Sequence, residues 1–135
     1  MRSILLLVIF FGSALFLWAQ TDNTSGDGPS LKLKSNTIDV GIVSGDSIIS
    51  GVFTIYNVDK EPVSILHIFS DCSCAVSNYS TEPIAPGDSL QFEVSFDPAN
   101  YRWGPFRRVF RIRSTGDGNR ITAVLKGDIK KKYRK

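Results

Sequence analysis

Residues 89–97, Ser-Leu-Gln-Phe-Glu-Val-Ser-Phe-Asp (SLQFEVSFD), alternate apolar and polar side chains almost without a break. Successive side chains of an extended strand point to opposite faces, so Leu90, Phe92, Val94 and Phe96 share one face and Gln91, Glu93, Ser95 and Asp97 the other. That is the pattern of a strand with one face in a core and one in water. Outward from it, residues 48–57 (IISGVFTIYN) place Ile49, Phe53 and Ile55 on one face, and residues 119–127 (NRITAVLKG) do the same for Ile121, Ala123 and Leu125. Residues 39–43 (DVGIV), 62–69 (PVSILHIF) and 108–114 (RVFRIRS) are further β-rich runs. Turns of Gly, Pro, Asp and Asn separate them: SGD, VDKEP, APGD and TGDGN. No segment sustains a helical repeat. Short strands at this spacing predict an all-β protein, an antiparallel sandwich rather than a parallel sheet.

The flanks set the domain limits. Residues 1–20 (MRSILLLVIFFGSALFLWAQ) carry Arg2 and then an uncharged run to Gln20, the layout of a signal peptide cleaved near Ala19 or Gln20. The apolar run is shorter than the roughly 20 residues that span a bilayer, so no integral membrane span is expected after cleavage. Residues 21–30 (TDNTSGDGPS) contain no aliphatic or aromatic side chain and read as a flexible linker. Residues 31–130 are close to the roughly 100 residues of one immunoglobulin-like sandwich of about seven strands. Residues 131–135 form a basic tail. The expected location is outside the cytoplasm, periplasmic or extracellular.

Charge is divided unevenly. Residues 21–100 hold 3 Lys or Arg against 11 Asp or Glu, and residues 101–135 hold 12 against 2, so a net −8 body adjoins a net +10 end. Within that end, residues 101–114 (YRWGPFRRVFRIRS) mix four aromatics with five arginines, a composition also used on nucleic acids. Export excludes nucleic acid as the partner. Alternation predicts that Phe110 and Ile112 face the core while Arg107, Arg111 and Arg113 face water. With Lys130, Lys131 and Lys132 they form a cationic face suited to an acidic glycan, an envelope component or an acidic protein. Arg108 shares the inward parity of Phe110, which places it at a strand start or a bulge.

Residues 70–80 (SDCSCAVSNYS) hold both cysteines of the chain, Cys72 and Cys74. In an extended strand their Cα atoms would lie about 6.6–6.8 Å apart, the far edge of what a disulfide accepts, so a bridge there requires a bend. An oxidising compartment favours pairing. Two reduced thiols at the core are a second reading. A soft ion such as copper(I), held by both sulfurs with His67 as a third ligand, is another. His67 falls in step with Val63, Ile65 and Phe69, which predicts a packed, neutral histidine.

Enzymatic signatures are missing from the sequence: there is no Gly-x-Ser-x-Gly elbow, no phosphate-cradling glycine loop and no distinctive carboxylate pair. No cofactor is expected.

Several stretches together, DVGIVSGDSIISGVFTIYN, DCSCAVSNYSTEPIAPGDSLQFEVSFDP, GPFRRVFRIRS and LKGDI, resemble a bacterial family of secreted immunoglobulin-like domains, domain-of-unknown-function family 1573, related in shape to cilia-associated and sperm-protein sandwiches. The resemblance spans residues 39–129 and includes Phe53, Asn57, the cysteine pair, Pro83-Ile84, Pro86-Gly87, Asp97 and Gly104-Pro105-Phe106. Where the family reads Cys-Gly-Cys-Thr, this chain has Cys72-Ser73-Cys74-Ala75. The resemblance implies the sandwich fold and no catalytic chemistry. The expectation is therefore an exported, non-enzymatic binding or scaffolding module of the cell envelope, with a thiol-redox or copper-handling periplasmic protein as the alternative. N-terminal sequencing of exported protein should begin at Gln20 or Thr21; an intact Met1 in a membrane fraction would overturn the signal-peptide reading.

Overall fold

The computed structural model describes residues 28–130 apart from Asp117 and Asn119. The signal peptide, linker residues 21–27, Lys131, Lys132 and the tail lie outside the described residues. Among the described residues eight strands form two four-stranded sheets. The first sheet has the order β1 (Leu31–Leu33), β3 (Ile49–Asn57), β6 (Ser89–Phe96), β5 (Ala75–Asn78), all antiparallel. The second has the order β2 (Thr37–Ser44), β8 (Ile121–Lys130), β7 (Gly104–Ser114), β4 (Ile65–Ser70). The chain is thus an immunoglobulin-like β-sandwich. The count agrees with about seven strands, and β1 and β5 are the short strands that the sequence runs do not include.

Two features depart from a regular antiparallel arrangement. β2 runs parallel to β8, so the second sheet is mixed. Its register shifts between Asp39 and Ile42, where Gly41 takes φ 68°, a left-handed conformation open to glycine, and its N–H donates to Asp39 Oδ1 at 2.9 Å. Beyond this bulge Ile42 turns to solvent, 73% exposed. At the front of the domain Ser30 is buried and donates to Asp59 Oδ2 at 2.6 Å, so ordered packing includes the last residue assigned to the linker.

The core follows the alternation of the strands. Phe92, Val94 and Phe96 of β6 are buried, as are Ile49, Phe53 and Ile55 of β3, which pairs with it. Phe53 sits directly opposite Phe92, their ring centroids 5.5 Å apart and stacked. From the other sheet Phe106, Phe110, Ala123 and Leu125 complete the interior, and the Phe106 ring centroid is 5.2 Å from that of Phe96.

One polar side chain is fully buried among these residues. Asn57, the last residue of β3, is 1% exposed. Its Nδ2 donates to the carbonyls of Glu61 at 2.8 Å and Ile84 at 2.7 Å, and its Oδ1 accepts from the Asp59 N–H at 2.8 Å. Its main chain is engaged too: its N–H donates to Asp88 O at 2.9 Å, and its carbonyl accepts from Gly87 N–H at 3.0 Å. Asp59 in turn is held below the ordinary carboxylate value, first by the Ser30 hydroxyl and then by the Lys60 amide. A carboxyl depressed in this way stabilises the fold above its unfolded value, and the contribution disappears as pH falls through the folded value.

Phe96→Ala, which empties a fully buried site, should cost roughly 3–5 kcal/mol. Asn57→Ala leaves two carbonyls and an amide without their partner and should cost at least about 2 kcal/mol. Ile42→Ala, at an exposed position, should stay within about 0.5 kcal/mol of the parent. Denaturant melts of the three variants check the order; a Phe96→Ala cost below about 1 kcal/mol would contradict the assigned core.

Candidate functional site

On β7 the buried residues Phe106, Phe110 and Ile112 alternate with exposed Arg107, Arg111 and Arg113, as the sequence predicts. Register then adds what alternation alone does not. Arg107 lies directly opposite Lys126 of β8, and Arg113 lies opposite His67 of β4. Phe69 stands opposite Arg111, 42% exposed. Lys126, absent from the sequence reading, thereby joins the cationic face, and Lys130 shares its parity at the end of the strand. Lys126 contacts Asp39 at 3.5 Å and Lys130 contacts Asp128 at 3.0 Å. The Gly41 amide, and after it Lys126, hold the Asp39 carboxyl below its ordinary range. Exposed pairs of this kind contribute only about 0–1 kcal/mol. Among the described residues no ion pair includes Arg107, Arg111 or Arg113.

His67 departs from its expected place. It is exposed rather than packed, and Ile68 is buried instead. The register between β4 and β7 shifts from Ile65 opposite Ser114 to His67 opposite Arg113, so Leu66 is an extra residue and every side chain beyond it changes face. The His67 Nδ1 lies 3.2 Å from the Tyr79 hydroxyl, and its ring meets the edge of Phe69 at a centroid distance of 4.2 Å.

Cys72 and Cys74 form a disulfide with a Cα–Cα distance of 5.2 Å. They do not lie in a strand: residues 71–74 form a turn between β4 and β5, closed by the Ala75 N–H donating to Cys72 O at 3.2 Å. The turn shortens the spacing that an extended i, i+2 pair would have and brings it within the ordinary disulfide range. Ser70 clips it. Its hydroxyl accepts from the Cys72 N–H at 3.3 Å and lies within hydrogen-bond reach of the carbonyls of Cys72 and of Ala75, the latter at 2.9 Å. Both cysteines are half-buried, and among the described residues they join no third His, Cys, Asp or Glu in a group that could hold a metal ion. His67 is therefore not gathered with them.

The disulfide forms part of the wall of an open cleft of about 900 Å³ at the end of the sandwich, shared with Ile48, Val76, Asp97, Tyr101 and Arg108. Arg108 faces inward, and its guanidinium carbon stands 4.6 Å from the Phe96 ring centroid and 4.5 Å from that of Tyr101. Among the described residues no helix is long and apolar enough to cross a membrane.

Closure of so short a loop restricts the unfolded chain little, so reduction should lower stability by less than about 2 kcal/mol. Mass spectrometry of unreduced protein should show the loss of two hydrogens, and thermal melts with and without a dithiol measure the second quantity. Two freely alkylatable thiols, or a larger loss on reduction, would contradict this.

Solved structures share the fold. A protein of unknown function from Porphyromonas gingivalis W83 superposes with a TM-score of 0.63 at 18% identity, over 73% of this chain and 46% of that one. This chain therefore spans about half the length of that protein. The ASH/PapD-like domain 7 of human CEP192 superposes with a TM-score of 0.63 at 8% identity, over 78% of this chain and 89% of that one. The YadV chaperone superposes with a TM-score of 0.56 at 9% identity, over 75% and 52%. No curated protein matches the sequence. The model of one protein family matches residues 31–129, nearly the whole sandwich, and the chain belongs to that family, the proteins of unknown function DUF1573.

Proposed function

We propose that this chain is an exported, non-enzymatic binding module of the cell envelope that engages an anionic partner, protein or glycan, through the outer face of β4, β7 and β8. One observation carries the reading: Arg107 is placed directly across from Lys126 while Arg111 and Arg113 continue the same row. Like charges directly opposite one another on a sheet are destabilising, and Asp39 offsets only Lys126, so stability of the fold does not account for the unpaired row of arginines, whereas a partner that supplies negative charge does. Phe69 and Val109 lie between these cations and add apolar contact to the same face.

Export is supported by the charge-then-apolar layout of residues 1–20 and by a disulfide, which suits an oxidising compartment. The non-enzymatic reading is supported by the role of the single histidine: His67 Nδ1 meets Tyr79 on an outer face rather than a serine or a cysteine nucleophile.

Charge attraction across such a surface must weaken with salt, because the screening length falls to about 8 Å at physiological ionic strength. The protein should bind immobilised heparin or lipopolysaccharide at low salt and elute as salt rises. The combined Arg107→Gln, Arg111→Gln and Arg113→Gln variant should bind at least about tenfold more weakly, a change of about 1.4 kcal/mol. Retention that is unaltered in that variant, or insensitive to salt, would refute the proposal.

A further inference from the structure

We infer that the cleft beside the disulfide binds a carboxylate carried on an apolar stem, with Arg108 as its anchor. This site is separate from the outer cationic face and does not depend on that reading. Arg108 occupies an inward position of β7 between buried Phe106 and Phe110, where an aliphatic side chain would simply extend the core. The guanidinium carbon packs against the rings of Phe96 and Tyr101, and aromatic carbons offer its N–H donors no carboxylate or carbonyl oxygen, so those donors still need acceptors. The protein provides few. Nη1 reaches only the Arg107 carbonyl, at 3.4 Å, and Nε is buried with no hydrogen-bond partner. Among the described residues no ion pair includes Arg108. Asp97, on the same wall, is turned towards its own loop, where Oδ1 accepts from the Ala99 N–H at 2.9 Å.

A planar fork of donors held by aromatic rings at the wall of an open cleft matches the two coplanar oxygens of a carboxylate. Ile48 and Val76, 69% and 61% exposed, line the same cleft and offer apolar contact for the stem. Asp71 and Asp97 set an upper limit on the charge of the ligand. Against one arginine they leave the cleft net negative, which opposes every anion and a multiply charged one most, so the anion that fits is a singly charged carboxylate paired directly with the Arg108 fork. Two sources present that chemistry: the carboxyl terminus of a polypeptide ending in an apolar residue, and a free medium-chain fatty acid.

The test titrates the oxidised, full-length exported protein with octanoate and octanamide, with a peptide ending in Val-Leu as free acid and as amide, and with inorganic phosphate. At least one free carboxylate should bind, its amide at least about tenfold more weakly, and phosphate should not compete. Binding of octanoate alone identifies free acids as the source, and binding of the peptide alone identifies chain ends. Arg108→Gln should weaken binding at least about tenfold. Because Arg108 also packs the edge of the core, Val76→Asp provides the independent variant: it adds a negative charge at an exposed position and should weaken binding about three- to tenfold with an unchanged melting temperature. Equal affinity for acid and amide, an affinity unchanged in both variants, or no carboxylate binding up to about 10 mM would overturn the inference.

Discussion

The carboxamide of Asn57 closes one end of the sandwich. A buried amide needs a partner for every polar atom, and here two carbonyls and one N–H, from the β3–β4 connection and from Ile84, meet it at 2.7–2.8 Å. Leaving such groups unpaired away from water costs about 1–3 kcal/mol each, so the surrounding loops have one satisfactory arrangement. Through Gly87 and Asp88 the same residue also fixes where β6 begins. The pairing of β3 with β6, and with it the stacked Phe53 and Phe92, depends on that start. Asp59, bonded to both Asn57 and Ser30, ties the front of the domain to the same point.

The opposite end is built differently. β3 begins at Ile49, beside Phe96 and Ala75, and there the cysteine turn, the segment after β6 and the start of β7 leave a cleft. A disulfide that encloses one residue, Ser73, adds little global stability, so its physical effect is local: with Ser70 it holds the shape of one wall. Arg108 brings a cation to the interior margin, where aromatic faces accommodate it but do not neutralise it. One end of the domain therefore has its buried polar groups matched within the chain, while the other carries donors that the chain leaves open.

The cationic outer face presents a second imbalance of the same kind. Among the described residues no acidic group pairs with Arg107, Arg111 or Arg113 of β7; Asp39 is paired with Lys126, and these three arginines share one side of one sheet with Lys126 and Lys130. An outer face repays little in hydrophobic burial, so its composition is free to be set by what it meets. The inner face of the same strand is constrained by Phe106, Phe110 and Ile112, and Arg108 places a charge among them.

What the sequence determined by itself is the identity of the inward side chains on the regular strands. In β3, β6 and β7 a two-residue period, bounded by Gly, Pro and Asp turns, is a local property, and the buried rows of Phe53, Phe92 and Phe110 follow from it. The exposed arginines follow from the same period. His67 marks its limit: the extra residue at Leu66 reverses the faces beyond it, and a bulge is set by pairing with β7, a partner distant in sequence. Only the tertiary structure could place Lys126 opposite Arg107, run β2 parallel to β8, and set Arg108 against Phe96 and Tyr101. It also decided that Cys72 and Cys74 meet in a turn rather than along a strand. The reason is common to all of these features: alternation records which way a side chain points, but register and packing are chosen by the energy of contacts between segments far apart in the chain, and no local pattern carries that information.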